Sequence, residues 1–460
     1  MTVALVVGNM IGSGIFLVPA SLAPYGGLSI VGWLISTAGA LFLASVFAHL
    51  SRLQPAAGGP YAYTRLAFGD LPAFLVAWGY WISIWTSLGA LAVAFVGYLG
   101  SVIPVLSETR GAAAITAIAT VWVLIGVNAA GVRSAGWVQV VTTVLKILPL
   151  VAIGVAGIFK FEPAHFTVPY TDFRSVVIAA ASGATLTLWA FLGLESATVP
   201  ATSIEDADRT IPRATTVGTL LTAIIYIVST VGVMGLVAPA LLGKSQAPFA
   251  DAARSLWGGG GATIVALGAT MSAFGALNGW VLLVGQLPLA VARDGLFPRV
   301  FARVSQNGTP TVGMFIAGVL TTTLVALNYT RGLVELFTFF ILLSTLTTLI
   351  PYTFSSLSVF LVRGNGHQPL SRGMAAVAAL AFTYSLWAIG GAGQETVYWG
   401  FLLLVCGLPV YVVVKLTGRR INRPADQRVN GPTGQRINRP ADQPANGSAD
   451  QPKSIDPLTR

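Results

Sequence analysis

The sequence predicts an all-α membrane protein of twelve transmembrane helices, and three observations carry that reading. Apolar residues make up 55% of the 460 and charged residues only 9%, with a mean hydropathy of +0.77. A soluble chain of this length needs far more charge to cover its surface. Apolar stretches of about 20 residues recur, the length that crosses a hydrocarbon core of roughly 30 Å at 1.5 Å per helical residue. A spanning segment must also satisfy its own backbone polar groups, and apolar runs without strand alternation do so as helices.

In chain order the spans are read at 3–23, 29–50, 71–104, 111–131, 136–158, 177–200, 214–238, 261–292, 311–327, 333–361, 374–391 and 397–416. Turn formers and charges collect between them, as in "SRLQPAAGGPYAYTRLAFGD" (51–70), "SIEDADRTIPRA" (203–214), "RDGLFPRVFARVSQNGTP" (293–310) and "VRGNGHQPLSR" (362–372). Lysine and arginine favour the cytoplasmic loops of a membrane protein. Basic residues such as Arg52, Arg65, Arg133, Arg209, Arg213, Arg293, Arg299 and Arg303 fall on one side, against fewer, such as Arg110, Lys160, Arg174 and Lys244, on the other. This bias places both termini in the cytoplasm of a multi-pass protein of the cell membrane.

The chain is expected to divide into a membrane body, 1–417, and a tail, 418–460. The tail is rich in Pro, Asn, Gln and Gly, and "GRRINRPADQ" (418–427) returns as "GQRINRPADQ" (434–443). So little apolar surface predicts a disordered cytoplasmic segment. The net charge of +10 is read as membrane topology, with no nucleic-acid partner. A single cysteine, Cys406, and three scattered histidines (His49, His165, His367) leave no set of metal ligands, and no cofactor is expected.

Two spans carry residues ill suited to a helix in lipid. The first contains Gly8, Asn9, Gly12, Ser13 and Gly14, with Pro19 beyond. A break there exposes backbone N–H groups at the positive end of a half-helix, which suits an anionic group such as a carboxylate. Unwound backbone is tolerated in a bilayer only where it lines a cavity or lies within protein. Gly8 and Gly12 also form a GxxxG pair, which fits close helix packing equally well. The sixth span, "TLTLWAFLGLESATVP" (185–200), holds Gly193, Glu195 and Pro200. An acid inside a span marks function by default. Interruptions at matching positions, five spans apart, point to a transporter site between two inverted five-helix halves, about 1–158 and 177–361. Carbonyls freed near Trp189 and Leu192 would accept an ammonium, so the pair of breaks describes a site for an α-amino acid.

These segments carry a family resemblance. "GNMIGSGIFLVPASLA" (8–23), "AAGGPYAYTRLAFG" (56–69), "TLWAFLGLESA" (187–197) and "ARDGLFPRVFARVSQNGTP" (292–310) resemble the amino acid–polyamine–organocation superfamily. Within it the chain is most similar to the bacterial basic amino acid/polyamine antiporters, the arginine/agmatine exchangers above all. The resemblance implies a five-plus-five inverted repeat with helices 1 and 6 broken and two extra C-terminal helices, often as a homodimer. It places the substrate carboxylate on Ser13 and the Gly14 amide, and the α-ammonium on carbonyls of Met10, Trp189 and Leu192. Trp280 would stack on the substrate side chain, with Trp189 as an outer lid. Ser83, Ile84, Leu88 and Ser344 would surround its far end. Tyr80, Glu195 and Tyr352 would form a gate on the cytoplasmic side.

Three positions depart from the exchangers. Leu88 stands where they have a polar amide and Ile84 where they have a cysteine. A cationic head group meeting those aliphatic side chains would lose hydrogen bonds. Lys146, in "VVTTVLKILPLV", is a basic residue in mid-span. It either snorkels to the interface or, as in other superfamily branches, occupies the place of a sodium ion and changes charge during the cycle.

The function expected is secondary active transport of amino acids or their decarboxylated amines. No GxxxxGK[ST] loop for ATP is present, so exchange or an ion gradient must drive it. Antiport is the leading reading. The alternative is proton-coupled symport of neutral, fairly apolar amino acids through Lys146. An enzyme is not expected, because the histidines are dispersed and no paired acids stand in the spans. The spans also lack the charge rings or carbonyl filter of a channel.

Overall fold

The computed structural model describes residues 6–7, 10–12, 14–54, 59–109, 111–130, 136–195, 207–328, 330–362 and 370–421. Ser13 and the side chain of Lys146 lie outside the described part, as does the tail from residue 422. The chain divides into two units, Met1–Gly418 and Arg419–Arg460. All that follows concerns the first.

The elements run α1 (Gly14–Leu22), α2 (Leu28–Leu53), α3 (Gly59–Phe68), α4 (Asp70–Gly100), α5 (Ala112–Ala129), α6 (Gly136–Ile158) and α7 (Phe173–Leu188). They continue with α8 (Ala207–Leu236), α9 (Pro248–Arg293), α10 (Thr311–Leu327), α11 (Leu333–Leu361), α12 (Arg372–Gly391), α13 (Gln394–Val405) and α14 (Gly407–Ile421). No strand occurs among the described residues. Nine helices among them are long and apolar enough to cross a membrane, and shorter apolar helices lie at Gly14–Tyr25, Ile147–Ile158 and Thr311–Leu327.

The helices begin where their sequences provide caps. Asp172 accepts from the Ser175 amide at 2.9 Å to start α7, and Ser371 accepts from the Met374 amide at 3.2 Å to start α12. Inside the spans, threonine hydroxyls mostly bond back to the preceding turn, as Thr345 does to the Ile341 carbonyl at 2.7 Å. That bond removes a polar group from the apolar surroundings without a partner helix.

Two connectors contain structure that the apolar pattern did not predict. Residues 59–68, expected as loop, form α3. The helix α9 starts at Pro248, ahead of the expected span, and is interrupted at Gly258 with φ 75° and ψ −166°. Its first part contributes Phe249, whose amide donates to the Tyr98 hydroxyl at 3.2 Å. The tyrosine in turn donates to the Phe16 carbonyl at 2.6 Å, so this segment is tied to α1 through α4.

The core lies along α4, the most deeply enclosed of the long helices. It packs lengthwise against α11 and α9, while α2 packs against α7 and α8. At one end of α4 an ionic cluster joins four elements. Arg65 of α3 pairs with Asp70 at 3.0 Å and with Asp294 at 3.7 Å, and Lys415 of α14 reaches Asp70 at 2.6 Å. Tyr61 donates to Asp294 at 2.9 Å. Burial and that neighbouring carboxylate push the Tyr61 phenol above its usual range.

Candidate functional site

The site starts from two places where helical hydrogen bonding stops. Before α1, the Ile11 amide still donates to the Val7 carbonyl, but Gly12 donates to Met10 two residues back, and Ile11 and Gly12 are bent. The helix resumes at Gly14. In the sixth predicted span, α7 ends at Leu188 and a 3-10 turn covers Trp189–Phe191. Leu192 is then extended, and Gly193 has φ 97°, a conformation costly for any residue with a Cβ.

The two breaks meet. A cavity of about 20 Å³ lies between them, bounded by Met10, Gly12, Gly14 and Ile15 from one and Trp189, Ala190 and Leu192 from the other. Ser87 and Leu91 of α4 and Trp280 of α9 complete its wall. Such a volume holds a water molecule and no more. The reason is Trp189: its indole lies directly on Gly14, so close that a Cβ there would overlap the ring. The ring is buried, its Nε1 has no hydrogen-bond partner, and Phe337 meets it edge-on at 5.6 Å. Movement of this ring would enlarge the cavity without moving backbone.

The residues singled out in the sequence divide into three groups. Met10, Gly14, Trp189, Leu192 and Trp280 all line the cavity. The Met10 carbonyl is already taken, accepting from the Tyr226 hydroxyl at 2.6 Å and from the Gly12 amide at 2.8 Å. It would need to release a donor before taking an ammonium. The Trp189 carbonyl likewise accepts the Leu192 amide at 3.1 Å.

Ser83, Ile84, Leu88 and Ser344 are buried but do not line the cavity; Ser87 and Leu91, a turn further along α4, do. Ser83 and Ser344 stand behind Ser87 in a hydroxyl ladder between α4 and α11. Ser87 bonds Ser344 at 2.7 Å, Ser344 bonds Ser83 at 3.0 Å, and Ser83 bonds Thr348. The signal that would have found Ser87 is helical spacing, since it lies four residues from Ser83 and on the same face.

Tyr80, Glu195 and Tyr352 form the third group. Both tyrosines donate to the wholly buried carboxylate, Tyr80 to Oε1 at 2.5 Å and Tyr352 to Oε2 at 2.7 Å. They continue the two rows of the ladder: 80, 83 and 87 descend α4 opposite 352, 348 and 344 on α11. Among the described residues no group of three or more acidic, histidine or cysteine side chains is placed to hold a metal.

The cavity thus lies at the junction of two broken helices, with Trp189 and Trp280 on its wall. The amino acid permease family matches residues 1–417. The chain belongs to that family. A putative arginine/ornithine antiporter of Bacillus subtilis (strain 168) is 34% identical over 450 residues, 89% of this chain and 95% of that protein. The cadaverine/lysine antiporter of Escherichia coli (strain K12) is 36% identical over 375 residues, 78% of this chain and 82% of its own. The putrescine transporter PotE of the same strain is 31% identical over 410 residues, 88% and 93% of the two chains. This permease thus groups with the basic amino acid/polyamine antiporters of the amino acid–polyamine–organocation superfamily, as the sequence motifs imply. It is a multi-pass membrane protein with a small-molecule substrate.

Proposed function

We propose that this permease exchanges an amino acid for an amine or a second amino acid across the cell membrane, by alternating access to the cavity between the two helix breaks. The observation that carries the proposal is that cavity, with five of the residues singled out from the sequence on its wall, in a chain whose relatives are antiporters. Twelve crossings in two inverted five-helix halves, cytoplasmic termini and the separate tail belong to the same reading. The small size of the cavity describes a state closed around the site, with Trp189 laid over Gly14.

In this reading the carboxylate sits at the break beside Gly14, with Ser13 as a further donor, and Trp280 faces the substrate side chain. Cation–π attraction of about 0.5–2 kcal/mol suits a side-chain ammonium there. Ile84 and Leu88 do not bound the cavity; Ser87 and Leu91 do, one turn further along the same helix. The preferred substrates in this reading are dibasic amino acids and diamines, a choice supported by the names of the relatives and by Trp280 on the wall. Symport through Lys146 is not favoured, since those relatives are antiporters. Tyr80, Glu195 and Tyr352 close the cytoplasmic side.

The test is exchange in proteoliposomes. Radiolabelled lysine, ornithine or putrescine is expected to enter vesicles loaded with unlabelled lysine, ornithine, arginine or diamines and not empty ones. Uptake into empty vesicles driven by an inward proton gradient would replace exchange with symport.

A further inference from the structure

The helix α8 carries buried threonines at 215, 219, 222 and 230, and none of the four hydroxyls has a hydrogen-bond partner. Most other buried threonines, such as Thr185, Thr345 and Thr347, bond back to the preceding turn; α8 gathers four that do not. Buried polar groups without partners are rare and call for an explanation. The spacing 215, 219, 222, 226, 230 keeps one face of a helix. Tyr226 is the paired member of the row, and its hydroxyl holds the Met10 carbonyl at the break before α1.

The face points at the segment leading into that break. A Cβ on Gly218, which lies on the same face, would stand 2.8 Å from Val6 Cγ1 and 3.7 Å from Val7 Cγ2. On this face Gly218 stands against Val6 and Val7, and Tyr226 bonds Met10, which lines the cavity. From Thr215 to Tyr226 the helix rises about 16 Å, roughly half of a hydrocarbon core. Partnerless hydroxyls in an apolar contact make sense if another state of the protein wets them.

We propose that Thr215, Thr219 and Thr222 form the wall of the passage between the cavity and the cytoplasm, buried in this arrangement and exposed to water in the one that opens toward the cytoplasm. The inference rests on the alternating-access reading and its orientation. The covered row opposes closure, and its hydration favours the open passage, so the hydroxyls shift the balance between the two states.

The experiment uses full-length protein in proteoliposomes with Cys406, the exposed native cysteine, replaced by serine. Thr219→Cys and Thr222→Cys are exposed to the membrane-impermeant reagent 2-(trimethylammonium)ethyl methanethiosulfonate from either side, and the added mass is read by mass spectrometry. Thr185→Cys, at a buried and back-bonded threonine, is the reference. Modification at 219 and 222 at least tenfold faster than at 185, and only from the cytoplasmic face, is expected. Rates equal to that at 185 while the parent protein exchanges substrate would overturn the passage and leave exchange standing. Modification in a protein that exchanges nothing would keep the passage and remove the exchange reading. A second arm needs no cysteine: Thr219→Val keeps the side-chain shape and should raise the melting temperature while slowing exchange. A lower melting temperature with unchanged exchange would overturn the proposal.

Discussion

Between α4 and α11, Ser87, Ser344, Ser83 and Thr348 spend their hydroxyls on one another; on α8, Thr215, Thr219, Thr222 and Thr230 spend theirs on nothing. Both rows are buried and both reach the wall of the cavity, one through Ser87 and the other through Tyr226 and Met10. A satisfied row holds two helices in register in one arrangement. An unsatisfied row disfavours the arrangement that covers it. If the α8 row lines the passage, α4 and α11 move together as a unit while the threonine face of α8 opens to water.

The largest effect is expected where the two rows meet the cavity. Gly14→Ala places a Cβ inside the Trp189 indole and forces that ring away. Exchange should be abolished, measured as counterflow in proteoliposomes. The same variant carrying Thr219→Cys should still be modified from the cytoplasmic face, because the passage does not depend on the indole. Loss of both would show that the cavity and the α8 row are not separable.

Ser344→Ala comes next. It removes the bonds to the Ser87 and Ser83 hydroxyls and the donor to the Ser83 carbonyl. The Ser83 hydroxyl keeps Thr348 and its carbonyl keeps Thr86, so the Ser87 hydroxyl is the group left orphaned, at a cost of about 1–3 kcal/mol. The melting temperature of the detergent-solubilised protein should fall by several degrees. A variant that melts with the parent would mean that the ladder does not lock α4 to α11, and the contrast between the rows would lose one side.

How much of this could be read from residues alone depended on whether one helix or two decide the feature. The nine long apolar helices were legible because lipid imposes one rule on every segment. The breaks were legible because Gly12, Gly14 and Gly193 are locally poor in a helix. Glu195 stood out because a lone acid in an apolar run is costly. Ser87 and the α8 threonines were not legible. A serine or threonine in a span is common, and only the facing helix decides whether its hydroxyl is bonded, orphaned or open to a cavity. The helix α3 was missed for a related reason: it lies outside the spans, and its ties to Asp70 and Asp294 come from residues distant in sequence.

Thr219→Val tests the other side of the contrast with a smaller expected change. Removing a buried hydroxyl that lacks a partner should stabilise the covered state by about 1 kcal/mol. The protein should melt a few degrees higher and exchange more slowly. The sign matters more than the size, since few substitutions at a buried polar residue raise stability.

The smallest effect is the control that gives the others meaning. Thr345→Val, on α11, removes a hydroxyl that bonds the Ile341 carbonyl and leaves that carbonyl in its helix. Hydrogen bonds between side chains and their surroundings in membrane proteins average about 0.6 kcal/mol, so Thr345→Val should lower the melting temperature slightly, opposite in sign to Thr219→Val. If both substitutions stabilised the protein alike, the gain at 219 would reflect a general preference for valine in a span. The orphaned row would then be ordinary packing, because it is the opposite response of two buried threonines to the same substitution that ties the missing partners to a second conformation.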